Sequence, residues 1–413
     1  FQMRLDIQDL RADELDAVYL LLHLLADFQR GDIPVGGEKT SGFGWVQAEI
    51  ARIDYLTGGK SNLTQKLFDN LPLEQDGLWK RLTLEGETAA AVLQAATPLP
   101  AQGEFFRKPP VAAGGFISHR AFGGHCGTLH VEAEVLTPLA IKESGEPSST
   151  AVLEGRPVNG WDFFSMSPSG VAFRPEERRY ALPSKSIRGL LRHLYAIASD
   201  SAEESANLAR LNPVDSLFGF VGKGPNQALT SRLSPSFGLF EGAELAWFKV
   251  PYPYGQWKYE GGQWARGTES GARKYQVTKA WRLFPHAPLA PIVQQLEAFQ
   301  PDTPQASYFR AVLPGSRAHF TIRFWNLTDE ELQRLVWCVA LEEKLAHKMG
   351  GNRYLGFGSL RFHITPESYL IDWTSRYTGA PEKTWKKNLA ITPDRELIHH
   401  HQALHRLLHA DSL

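Results

Sequence analysis

Four segments of the chain gather residues suited to binding anions. Lys185, Ser186, Arg188 and Arg192 fall at the start and along one side of a predicted helix. The first-turn N–H groups of a helix point outward at its N-terminus, so cations placed there suit phosphates. Two glycine clusters follow the same spacing: Gly36-Gly37 with Gly42 and Gly44, and Gly350-Gly351 with Gly356 and Gly358. Such loops can present consecutive backbone amides as an anion nest. Lys39 and Thr40 sit inside the first. Lys348 precedes the second, which contains Asn352, Arg353 and Phe357. Arg273-Lys274-Tyr275 forms a further cluster, basic and aromatic. An RNA strand needs phosphate neutralisation and base stacking, and these segments supply both. The alternatives are a solvated basic face for the helix and a flexible turn for any one glycine cluster.

Other chemistries fit less well. Gly31, Gly36, Lys39 and Thr40 approach a Walker A loop, but that loop needs Lys directly after its second Gly and a helix behind it. Here two residues intervene, and residues 45–50 read as a strand. His119, His125, Cys126 and His130 include zinc-ligand types, but only one is a thiol, and His130 alternates with Leu129 on a predicted strand. His401, His405 and His409 fall on one face of a helix expected over about 398–409, read as solvated or RNA-facing rather than as a metal site.

The elements that must position these residues repeat. Phe320, Ile322 and Phe324 alternate as a half-buried strand does. Thr328 or Asp329 then suits an N-cap. Leu332, Leu335, Val336, Val339 and Ala340 give the stripe of an amphipathic helix. The glycine cluster ends that helix, and Leu360, Phe362 and Ile364 resume a strand. The beginning of the chain has the same order: 1–5 as strand, Leu15, Val18, Tyr19 and Leu22 as helix stripe, the glycine cluster, then 45–50. Two copies of one spacing favour glycines whose backbone must take positive φ or be closely approached. Nothing stands before the first copy, and Phe1 is not Met, so residues 1–50 are expected to close a unit whose beginning is absent. Residues 51–115, with turn signals and a helical patch at 89–96, read as a connector. Residues 116–364 read as a complete domain and 365–413 as a tail with a helix.

Composition sets the outer limits. The 413 residues are 43% hydrophobic and 22% charged, which excludes a mainly disordered chain. No apolar run is long enough for a membrane helix. With 44 Lys+Arg against 45 Asp+Glu, net charge gives no support for a nucleic-acid partner, which must rest on local clusters. Cys126 and Cys338 make no disulfide framework, which fits a reduced, cytoplasmic setting.

Within 116–364 a strand alternates through Leu129, Val131, Ala133 and Val135 and ends in Thr137-Pro138-Leu139. The helix Pro183-Ser184-Lys185-Ser186-Ile187-Arg188-Gly189 to Arg192 follows, then Leu217-Phe218-Gly219 and finally the second glycine loop. This order resembles the RAMP superfamily of CRISPR-associated proteins, and most of all the backbone subunits of type III effector complexes that fuse several RAMP units. The resemblance implies an α+β, ferredoxin-like fold of the RNA-recognition type, as one complete unit plus the C-terminal part of a preceding one. It implies a helix-bearing insertion and a projecting hairpin. It implies a guide crRNA, a target RNA and other CRISPR effector subunits as partners, and no membrane. The family's usual Pro-Gly-Ser-Ser reads Pro183-Ser184-Lys185-Ser186 here, so the RNA backbone would approach slightly differently.

In catalytic members of the family, one aspartate between the first strand and this helix supports metal-dependent cleavage of the target. Asp162 is the only aspartate there. With Mg²⁺ it would stabilise charge developing on the phosphoryl oxygens as a 2′-hydroxyl attacks. A turn-capping role is the alternative, so the nuclease and the non-catalytic scaffold both stand.

Overall fold

The computed structural model describes residues 5, 15–36, 44–49, 52–58, 74–76, 79–85, 123–143, 145–167, 177–202, 205–252, 256–260, 263–267, 281–377, 381–411 and 413. The fold is α+β. Its main sheet is antiparallel and runs, edge to edge, through His347–Lys348, Ser359–Ile364, His125–Val135, Arg317–Leu327, Gly238–Phe240, Arg179–Leu182 and Ser165–Met166. The two long central strands pair Val131 with Phe320 and Leu129 with Ile322. Their alternation sends Leu129, Val131, Ala133, Phe320 and Ile322 to one face, all nearly inaccessible to solvent. A period of two leaves His130, Glu132, Arg317, His319 and Arg323 on the other.

Two helices cover the apolar face. The Ser184–Ala198 helix buries Ile187, Leu191, Leu194 and Tyr195. The Asp329–Ala340 helix buries Leu332, Leu335, Val336 and Val339. The second helix begins at Thr328, whose Oγ1 accepts from Glu331 N while the Glu331 carboxylate accepts from Thr328 N. This capping box satisfies two donors that the first turn leaves unpaired. The same Glu331 receives Arg232, which is fully buried and also donates to the Asn326 carbonyl at 2.6 Å and the Ser216 carbonyl at 3.3 Å. A buried guanidinium tolerates burial only with its donors met.

A second sheet orders Gln294–Leu296, Leu245–Pro251, Ala306–Val312, Arg156–Trp161 and Ser149–Leu153. A hairpin, Gln256–Glu260 with Gln263–Gly267, follows the Leu245–Pro251 strand. Among its described residues, the stretch read as a connector carries three strands, Arg52–Gly58, Glu74–Asp76 and Trp79–Glu85, paired in one small sheet. The helical patch expected at 89–96 lies outside the described residues.

The C-terminal helix runs over His401–Leu408 and packs Leu404 and Leu408 into the main core. His401 pairs with Glu342 and His400 with Asp200. The helix is therefore docked on the fold rather than solvated, with only part of its histidine face outward. Residues 45–49 differ from the strand expected there: Trp45 makes one bridge to Pro34, and 46–49 are not strand, while Ile50 lies outside the described residues.

The two glycine turns share geometry where both are described. Gly36 and Gly350 have φ of +86° and +83°, and Gly44 and Gly358 have +76° and +81°. Val35 N donates to Gly44 O at 2.7 Å, and Met349 N donates to Gly358 O at 2.8 Å. A Cβ on Gly44 would lie 2.2 Å from the Val35 carbonyl oxygen, and one on Gly358 1.8 Å from that of Met349. Only glycine fits a closure this tight at positive φ. Gly37, Lys39, Thr40 and Gly42 lie outside the described residues.

Candidate nucleic-acid interface

The Ser184 helix and the second glycine turn meet at a groove of about 530 Å³. Ser186, Gly189 and His193 line it from the helix, and Lys348, Gly350, Gly351, Asn352 and Arg353 from the turn. Lys142 enters from the segment after the opening strand, and Arg282 and Phe284 from the other side. Among the described residues its lining carries four cations, Lys142, Arg282, Lys348 and Arg353, and no carboxylate. Its potential is therefore positive in a chain of near-zero net charge, and a cleft concentrates that field.

Two of these cations rest on rings. The Arg353 guanidinium lies 4.6 Å from the Phe284 ring centroid. Lys142 Nζ lies 5.9 Å from the Trp161 ring and 5.8 Å from Phe309, and donates to Ser307 Oγ at 3.1 Å. Partial burial lowers the Lys142 ammonium. A ring orients a cation while leaving its outer face for an anion.

The turn uses many of its own amides. Gly351 N donates to the Ala140 carbonyl, Gly358 N to Pro138 and Gly356 N to Arg353. These three glycines therefore shape the groove and do not form an anion nest there, because closing the turn consumes their donors. Phe357 is fully buried against Phe248 and Phe309 and anchors the turn to the second sheet.

The helix divides its residues. Lys185 is exposed, and Ser186 lines the groove. Arg188 donates to the Phe218 carbonyl, and Arg192 reaches Asp215 at 2.5 Å. Both guanidiniums meet the short Pro213–Phe218 helix, whose last carbonyls favour cations. They do not line the groove. Lys348 lines it but is only 5% exposed, with its ammonium held by Gly356 O at 3.2 Å and Ser359 Oγ at 2.9 Å. Arg273 and Lys274 lie outside the described residues.

Asp162 is buried and occupied. Its Oδ1 accepts from Phe163 N at 2.7 Å; its Oδ2 accepts from Arg178 at 2.8 Å and Tyr180 Oη at 3.4 Å. Arg310 approaches both oxygens at 3.4 Å. A carboxylate neutralised by two guanidiniums is poorly set to hold Mg²⁺. The residues of zinc-ligand type near the opening strand have other neighbours: His125 pairs with Asp329 at 2.5 Å, Cys126 is buried beside it, and His130 faces Tyr369. His119 lies outside the described residues, and among the described residues no three His, Cys, Asp or Glu gather to hold a metal.

Sequence reasoning missed Lys142, His193, Arg282 and Phe284. Lys142 follows the Thr137-Pro138-Leu139 turn by three residues, and Arg282-Leu283-Phe284 is a short basic–aromatic run; both signals are faint. A second hollow lies on the open sheet face, with Glu132 and Glu367 among its His130, His319 and Arg323. That mixed charge suits a polyanion less. Trp45 lies there, 3.8 Å below the Arg323 guanidinium, and donates from Nε1 to Ser234 Oγ at 3.2 Å.

No family model matches the chain, and no curated protein matches it. Among solved structures it is similar to a chain of a Type IV-B CRISPR complex, with 14% identity over 58% of this chain and 91% of that one, at a TM-score of 0.29. It is also similar to Csc2 of Thermofilum pendens, with 12% identity over 66% of this chain and 74% of that one, at a TM-score of 0.31. Among the described residues no helix is long and apolar enough to cross a membrane.

Proposed function

We propose that the chain is an RNA-binding backbone subunit of a CRISPR effector complex, of type III as its motif order resembles, and that it acts in the cytoplasm. In this reading a guide crRNA runs through the groove between the Ser184 helix and the second glycine turn, and a target RNA pairs with it. The carrying observation is the groove itself: among the described residues, four cations and no carboxylate, at the place where the two most telling motifs meet. Lys142, Arg282 and Arg353 would contact phosphates. Phosphate contacts carry no sequence information, so target choice falls to base pairing with the guide, as in other RNA-guided systems. Residues 1–50 would be the closing part of a preceding unit, as the shared turn geometry supports. The rest of the complex would supply further subunits.

The scaffold reading is favoured over the nuclease by the state of Asp162, which two arginines and Tyr180 already engage. Crosslinking with a photoreactive single-stranded RNA tests the binding site. Peptides containing Lys142, residues 282–284 and residues 350–354 should carry the label. Labelling confined to the open sheet face around Arg323 would move the site there.

A further inference from the structure

We propose that Lys348 is a positioning residue of the groove: its buried ammonium ties the two ends of the glycine turn together, and binding of an RNA backbone depends on that tie. This rests on the RNA-binding reading of the same groove. The hydrogen-bond pattern fixes the roles. His286 Nε2 lies 3.0 Å from the Ala346 carbonyl, which can only accept, so Nε2 carries the proton and Nδ1 is an acceptor. Ser359 Oγ, 2.9 Å from Nδ1, therefore donates to it. Its oxygen is then the acceptor for Lys348 Nζ at 2.9 Å. The same ammonium donates to Gly356 O at 3.2 Å.

A second tie runs in parallel. Thr137 Oγ1 donates to Gly356 O at 2.7 Å and accepts from Ser359 N at 2.9 Å. Gly356 and Ser359 bracket the closing residues of the turn, so Lys348 holds its return strand from inside. With 5% exposure it has little surface to offer a phosphate.

The tie depends on pH. Burial, with Arg353 nearby, lowers the Lys348 ammonium to about 8. Below that pH its bonds are charge-assisted and strong; above it they weaken. The charged and titratable groups around it, among the described residues, are His286, His347, Arg353, Arg361, His193, Arg282 and Lys142. Burial lowers all three histidines, so they stay neutral above pH 7. Burial lowers the Lys142 ammonium as well. The difference between wild type and Lys348→Met isolates Lys348.

The test uses the full chain and a fluorescent single-stranded RNA of A and C only, with anisotropy read across salt and from about pH 7 to 8.5. Lys348→Met should bind about tenfold more weakly near pH 7, as losing two hydrogen bonds of ordinary net strength implies. Its salt slope should fall by much less than the ~0.7 that one lost single-strand phosphate contact would cost. Ser359→Ala keeps the charge and removes the acceptor, and should weaken binding in the same direction. Wild type should lose affinity through pH 8 more steeply than Lys348→Met. A slope lowered by ~0.7 in Lys348→Met with Ser359→Ala unaffected would make Lys348 a phosphate contact and overturn the proposal, as would wild-type affinity in both variants. Amide exchange across 349–359 reads the tie without RNA. If wild type binds no RNA, the functional reading fails, and faster exchange in folded Lys348→Met still supports the tie, whereas unchanged exchange refutes it.

Discussion

Replacing Gly358 by Ala should damage the fold far more than the same change at Gly351, seven residues earlier in the same turn. Gly358 has φ +81°, and an added Cβ would meet the Met349 carbonyl oxygen at 1.8 Å, a contact no structure tolerates. The left-handed backbone alone costs a residue with a Cβ roughly 1–2 kcal/mol. Relieving the clash must open the pair in which Met349 N donates to Gly358 O at 2.8 Å. That adds roughly 1–3 kcal/mol for a buried donor left unmet. The sum is roughly 2–5 kcal/mol. At ~2–4 °C per kcal/mol for a domain of this size, melting falls by roughly 10 °C. Gly351 has no positive φ, and its added Cβ would sit 3.7 Å from the Ala140 oxygen, an ordinary contact. Its Ala variant should stay within ~0.5 kcal/mol of wild type. Thermal unfolding of the full chain, followed by circular dichroism, reads both. Equal melting temperatures for Gly358→Ala and wild type, or equal damage from Gly351→Ala, would refute this account of the turn.

Three further outcomes are expected. Burial lowers His347 to about 4 against its usual 6.5, so the unfolded chain takes up that proton first. Stability present above about pH 6.5 is therefore lost as pH falls toward 4, by up to ~3 kcal/mol. His347→Gln should flatten this part of a pH series of urea melts, and an unchanged slope would show that other groups carry it. Arg232→Leu strands the Glu331 carboxylate and should cost roughly 3–5 kcal/mol, whereas a loss under ~1 kcal/mol would mean that the buried pair is not held as described. Asp162→Ala leaves Arg178 and Arg310 facing each other and should cost roughly 2–4 kcal/mol in denaturant melts, less than a fully buried pair because both arginines are about one-third exposed. A variant of full stability that loses Mg²⁺-dependent RNA cleavage would return Asp162 to catalysis.

Much of the scaffold was legible because local rules dominate it. The opening strand and the Phe320 strand alternate strictly, and the two helices show clean stripes bounded by Pro183 and Thr328. The glycine spacing was legible for a steric reason that the Cβ distances make plain. The site was less legible, because a side chain's partner is set by tertiary neighbours. Arg188 and Arg192 share a helix face, but nothing in that helix reveals that the Pro213–Phe218 helix ends against them. Asp162 read as a candidate ligand because Arg310 lies 148 residues away. Lys348 read as a phosphate contact because burial does not show in a lone lysine before two glycines. The docking of the His401 helix likewise depends on Leu404 and Leu408 finding a core built elsewhere in the chain.

The central claim is that the groove holds an RNA backbone by charge. The most direct measurement is the salt dependence of binding for unrelated single-stranded RNAs, comparing wild type with the Lys142→Ala, Arg353→Ala double variant. Two lost phosphate contacts should lower the slope of log affinity against log salt by ~1.4 and weaken every sequence about equally. A double variant with the wild-type slope and affinity, or losses confined to particular sequences, would contradict the account.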